Sequence, residues 1–150
     1  MYWPPLVWAG VLLVMFVQAW WAMFGLRFHT HWNFLTFFIV LLQTVTMYMM
    51  SALVLPEEPH TPVVDLRAYY DGQRGWFFGF LLATLVVSVL KDILLDGTLP
   101  NTTNLAFHAL LAAFCVAGLT SKRPRVHEAL AIGSVVIFGI YIATLFARLA

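Results

Sequence analysis

Apolar positions so outnumber polar ones along this chain that the runs between polar residues define its elements. Five such runs, residues 5–26, 33–55, 76–95, 103–119 and 126–146, carry almost no charge. About 20 helical residues, rising 1.5 Å each, cross a hydrocarbon core of about 30 Å. The pattern therefore predicts an all-α integral membrane bundle of five transmembrane helices, forming a single domain over residues 1–150. The fourth run is the shortest and weakest. If it were re-entrant, four crossings would remain, and this stays the alternative.

Between the second and third runs the periodicity changes. Leu66, Tyr69 and Tyr70 recur at i, i+3 and i+4, and Asp71 lies four residues after Arg67 and three before Arg74. This spacing predicts a short interfacial helix before the third span, with Thr61 as its N-cap and Pro62 as its first residue. Gly75, Gly79 and Ala83 follow at four-residue intervals and form the expected helix-packing face, because small side chains let two backbones approach where lipid supplies no hydrophobic drive. Ala106, Ala109, Ala113, Ala117, Ala129 and Gly133 extend the same expectation to the last two helices.

Composition agrees with the pattern. Of the 150 residues 62% are hydrophobic and 10% charged, more apolar surface than a soluble chain of this length could hide. A net charge of +1 without a basic stripe excludes nucleic acid as a partner. The single cysteine, Cys115, leaves no intrachain disulfide. The first apolar run has no basic leader and no small-residue cleavage site, so it is expected to remain in the mature protein. Five crossings put Arg27, Lys91 and Arg148 on one side and Arg67, Arg74, Lys122, Arg123 and Arg125 on the other. The basic excess predicts a cytoplasmic N-terminus, a cytoplasmic 56–75 loop and a periplasmic C-terminus.

Candidate chemistry is thin. Gln18 and Gln43 are intramembrane polar residues on consecutive antiparallel helices at depths differing by about 3 Å, which predicts a hydrogen-bonded pair across the hairpin. Lys91 and Asp92 close the third helix; as sequence neighbours they point about 100° apart and do not pair by default, and Asp92 is expected to be held near the outer interface by Lys91, Arg27 or His108. His29, His31 and His108 fall on the same side and are weak candidates for a metal, in no recognised ligand spacing. The methionines Met15, Met23, Met47, Met49 and Met50 read as gap-filling core residues and not as a copper box. Lys122, Arg123 and Arg125 form a cluster suited to lipid headgroups, and bound lipid is the one non-protein component expected; no cofactor is. No nucleophile with its base and no phosphate-binding glycine loop can be assembled, so catalysis is not expected and no catalytic residue is assigned.

The fragments Gln18-Ala-Trp-Trp-Ala-Met-Phe-Gly-Leu-Arg27, Asp65-Leu-Arg-Ala-Tyr-Tyr70 and Arg74-Gly-Trp-Phe-Phe78, with Lys91-Asp92 after them, resemble small uncharacterised bacterial inner-membrane proteins. The resemblance implies a multi-pass protein of the bacterial inner membrane and carries no activity. Membrane lipids and either a homo-oligomer or other membrane subunits are the expected partners. The function expected is that of a structural or accessory subunit that scaffolds a larger membrane complex; the alternative is a small oligomeric channel or transporter for a small solute or ion. The two differ over Gln18, Gln43 and Asp92, which a scaffold needs only buried and satisfied and a channel needs wetted.

Overall fold

The computed structural model describes residues 2–56 and 65–145. Its elements are α1 (Pro4–Phe24), which tightens into a 3-10 turn at Gly25–Phe28, then α2 (Phe34–Val54), α3 (Leu66–Asp96), α4 (Thr102–Thr120) and α5 (Pro124–Leu145). All five are long and apolar enough to cross a membrane. The fourth is no exception: its 19 residues reach about 28 Å, and the four-crossing alternative loses its basis.

The helix starts follow from local chemistry. Proline at the first two positions of α1 gives up N–H groups that a helix start leaves unpaired anyway. Asn33 and Thr36 close a reciprocal cap on α2, Thr36 N–H donating to Asn33 Oδ1 at 2.9 Å and Asn33 N–H to Thr36 Oγ1 at 3.0 Å. Asn101 Oδ1 accepts from Asn104 N–H at 2.7 Å to open α4. Gly97 ends α3 in the left-handed region at φ 69°, where other residues are strained.

One boundary differs from the sequence expectation. The separate interfacial helix does not exist: α3 runs unbroken for 31 residues, capped by Asp65, whose carboxylate accepts from Arg67 N–H at 3.0 Å and Ala68 N–H at 3.2 Å. No proline interrupts the segment, and glycine inside a helix costs only about 1 kcal/mol. Gly75 therefore continues the helix. At about 46 Å, α3 overshoots the hydrocarbon core and carries Tyr69, Tyr70 and Arg74 out on its first turns. The expected cap at Thr61 and Pro62 lies outside the described residues.

Each helix packs on its neighbours in sequence, and α5 returns to α1, which closes a five-membered ring. The α2–α3 interface is the most extensive; the α1–α2 interface is sparse. At the end of the ring where α1 begins, the middle is solid. Trp8, Phe77 and Phe78 meet edge to face, with ring centroids 5.2, 5.5 and 5.2 Å apart, and Met50, Cys115 and Ala131 fill the gaps between them. These side chains form a dry aromatic plug.

Of the small residues expected at close contacts, Gly133 is at one, but most of the others are not. A Cβ added at Gly75 or Gly79 meets nothing within 4 Å, and Ala106, Ala109, Ala113 and Ala129 are exposed. The tight positions are Gly118, where a Cβ would come 2.6 Å from the Phe78 ring, and Gly133, where it would come 2.7 Å from Phe114. Four-residue spacing marks a smooth face, but what lies opposite depends on how the helix is rotated in the bundle.

Candidate functional site

Beyond the plug, toward the end where α1 finishes, the ring is hollow. A cavity of about 480 Å³ reaches from Met15, Met47 and Thr84 on its floor to Gly25, His29 and Asp96 at its mouth. Along α3 those limits are twelve residues apart, about 18 Å. Every helix contributes wall. Three positions on α1, Ala19, Ala22 and Gly25, are small and leave the volume open, while Leu85, Leu111 and Phe138 supply apolar surface from α3, α4 and α5. The size falls within the roughly 300–1,000 Å³ usual for small-molecule sites.

The polar residues singled out in the sequence converge here. Gln18, Gln43, Lys91, Asp92, His29 and His108 all line this one cavity. The expected Gln18–Gln43 hydrogen bond is absent. The two amides match in depth, but α1 and α2 touch too sparsely to bring them together, so both face the hollow. Gln43 is only 6% exposed, and its Oε1 has no hydrogen-bond partner among the described residues. Of the three partners expected for Asp92, Lys91 is the one that pairs with it, Nζ to Oδ1 at 3.4 Å. An unpaired ammonium is costly at this depth, and the flexible lysine stem lets the head fold back to its neighbour. Among the described residues this is the sole ion pair.

Two residues that sequence reasoning passed over complete the wall. Tyr141 Oη donates to Asn104 Oδ1 at 3.2 Å, tying α5 to α4. His108 Nδ1 lies 2.9 Å from the Asn104 carbonyl oxygen. A carbonyl only accepts, so Nδ1 carries the proton and Nε2 of the neutral ring is left as an acceptor. The metal candidates separate: His29 and His108 reach the cavity, whereas His31 is exposed and offers its backbone carbonyl to His29 Nε2 at 3.1 Å. Among the described residues no three His, Cys, Asp or Glu side chains gather in a geometry that could hold a metal ion.

A second polar cluster seals the opposite end. His127, 1% exposed, has Nδ1 3.1 Å from Tyr70 Oη and Nε2 2.9 Å from the Ser121 carbonyl oxygen, to which Arg74 also donates. The carbonyl fixes the Nε2 proton, so Tyr70 donates to Nδ1. Helices α3 and α5 and the loop before α5 are joined there. Tyr2, ahead of the first span, has its phenol pKa raised, chiefly by burial and then by Asp71 and Glu128. Lys122, Arg123 and Arg125 stand exposed around this end. Asp71 forms no ion pair with Arg67 or Arg74: Arg74 turns to Ser121 and Arg67 lies over the Tyr2 ring.

Comparison with family models, with curated proteins and with solved structures finds no similar protein in any of the three. The function has to be argued from the cavity.

Proposed function

We propose that this chain is a bacterial inner-membrane protein that binds a small solute in a one-ended cavity within the membrane, as the binding half of a transporter. One observation carries the reading. Gln18, Gln43 and Asp92, from three different helices, turn toward one hollow and not toward each other. A scaffold gains nothing from holding an unbonded amide oxygen and an ion pair around one hollow within the membrane, since each costs free energy in lipid. A solute-binding site needs such groups. The plug of Trp8, Phe77 and Phe78 argues against an open pore, because a water path would have to pass between fully packed rings.

The orientation proposed puts the plug end in the cytoplasm and the cavity mouth in the periplasm. Lys91 belongs to the cavity and not to a loop, so it drops out of the loop count and Arg27 is the one basic loop residue described at the mouth. Five basic residues remain at the plug end, where anionic headgroups are the proposed ligands of Lys122, Arg123 and Arg125. A reporter that fluoresces only in the cytoplasm, fused after Ala150, is expected to stay dark. A bright fusion reverses the orientation.

The accessory-subunit reading keeps one observation in its favour. Gly75 and Gly79 have open space beside them, and Trp76 between them is 67% exposed, a surface on which a second copy or another subunit could sit. Accessibility separates the two readings. In a Cys115→Ser background, Gln18→Cys, Gln43→Cys and Asp92→Cys are expected to react with a small water-soluble thiol reagent from the periplasmic face alone. Protection of all three from both faces would establish the scaffold. Labelling of position 43 from the cytoplasm would show a through-going channel.

A further inference from the structure

We infer that the cavity takes a small organic cation: a primary ammonium or guanidinium head on a short apolar body. This rests on the solute-binding reading above and goes beyond it by naming the chemistry of the solute.

Several acceptors of the wall have no donor among the described residues to turn to. Gln43 Oε1, 94% of whose residue surface is buried, has no donor to bond. Thr84 Oγ1 spends its proton on the Phe80 carbonyl at 2.9 Å, so toward the floor of the cavity it can only accept. His108 has its proton on Nδ1, committed to Asn104, and its other nitrogen accepts. The one cation of the wall, Lys91, is already paired with Asp92, and Asp96 stands at the mouth as a second carboxylate. Lys91 against Asp92 and Asp96 leaves one negative charge in excess among these three residues of the wall. The free amide donors of the wall, on Gln18 and Gln43, carry no charge, so the unmet capacity is for positive charge. An anion would meet carboxylates and lone pairs and find its only countercharge in use. A neutral alcohol brings one donor where several acceptors wait.

The geometry also orders the ligand. The floor, with Met15, Met47 and Leu85 around Gln43 and Thr84, is apolar between its two acceptors, whereas the carboxylates lie nearer the mouth. A cation drawn in by Asp96 and Asp92 would meet Thr84 Oγ1 and, once the amide turns its buried oxygen into the hollow, Gln43 Oε1 as its deepest acceptors.

The test uses the full chain in lipid nanodiscs and three ligands of one shape: cyclohexylammonium, cyclohexanol and cyclohexanecarboxylate. Affinity is read by ligand-observed NMR. The ammonium is expected to bind about tenfold or more tighter than either of the others, the margin of one charge-assisted hydrogen bond. Gln43→Leu is expected to lose about the same factor while melting no lower than the native chain, because the change removes an unbonded buried acceptor. Asp92→Asn should weaken the ammonium and not the alcohol. Tighter binding of the carboxylate overturns the cation assignment and leaves a solute site standing. Ammonium binding unchanged in Gln43→Leu overturns it as well, since the ligand is then elsewhere. If no member of the series binds while thiol reagents still reach positions 18, 43 and 92, the cation assignment falls alone; if reagents do not reach them either, the solute-binding reading falls with it.

Discussion

Replacing Trp8 with alanine is expected to be the most damaging single change in the chain. Trp8 is 2% exposed and stands edge-on to both Phe77 and Phe78, so its loss leaves a void between two fully buried rings that nothing nearby can fill. In a soluble core such a truncation costs roughly 3–5 kcal/mol, part from transfer out of water and part from the void. In lipid the unfolded reference is itself apolar, which removes most of the transfer part and leaves packing, on the order of 2–3 kcal/mol. Unfolding in mixed micelles of increasing SDS content measures it. Trp8→Phe is the control: the indole N–H lies beside the Tyr70 hydroxyl without reaching hydrogen-bond geometry, so giving it up costs little. Alanine and phenylalanine variants of equal stability would show that the plug is not close-packed. The void should also deepen the cavity toward the cytoplasm, and cytoplasmic labelling at Gln43→Cys in Trp8→Ala but not in Trp8→Phe is the functional signature.

What the sequence disclosed and what it hid divide along a physical line. Helix number and extent depend on hydropathy summed over about 20 residues, and no tertiary contact can hide that signal. Depth along a helix is equally legible: Gln18 and Gln43 reach one cavity at matching heights, with Asp92 nearer its mouth. Rotation about the helix axis is another matter. The lipid-facing and ring-facing sides of these helices are both apolar, so no amphipathic stripe says which way Gly79 or Gln43 points. Hence the spacing of Gly75 and Gly79 marks a smooth face without saying whether this chain or a partner covers it, and the matched depth of the two glutamines does not make them bond. The Tyr70–His127 bond spans 57 positions and has no local signature at all. A histidine next to a basic cluster gives only one cue, that it opens a span and must be satisfied there.

Gly118 is where rotation matters most, and Gly118→Ala is expected to destabilise the chain by about 1–3 kcal/mol, the usual cost of overpacking. The added Cβ would sit 2.6 Å from the Phe78 ring, a distance real Cβ contacts do not show, so something must move. Phe78 cannot. It is 0% exposed and wedged among Trp8, Phe77 and His127, so the strain passes to the α3–α4 separation. The parallel change Gly133→Ala meets Phe114 at 2.7 Å, but Phe114 is only partly buried and has room to turn its ring, which should make that variant the milder of the two. Gly79→Ala adds a methyl into open space and replaces a poor helix former with the best one, so it should be neutral or stabilising by up to about 1 kcal/mol. The order of melting temperatures in detergent is then Gly79→Ala highest, Gly133→Ala intermediate and Gly118→Ala lowest. Coupling supplies the decisive comparison. If the clash with Phe78 is the cause, Phe78→Leu combined with Gly118→Ala should cost less than the two single changes added together, since the smaller side chain vacates the space the methyl needs. Strict additivity would mean that α4 meets α3 elsewhere than at Gly118.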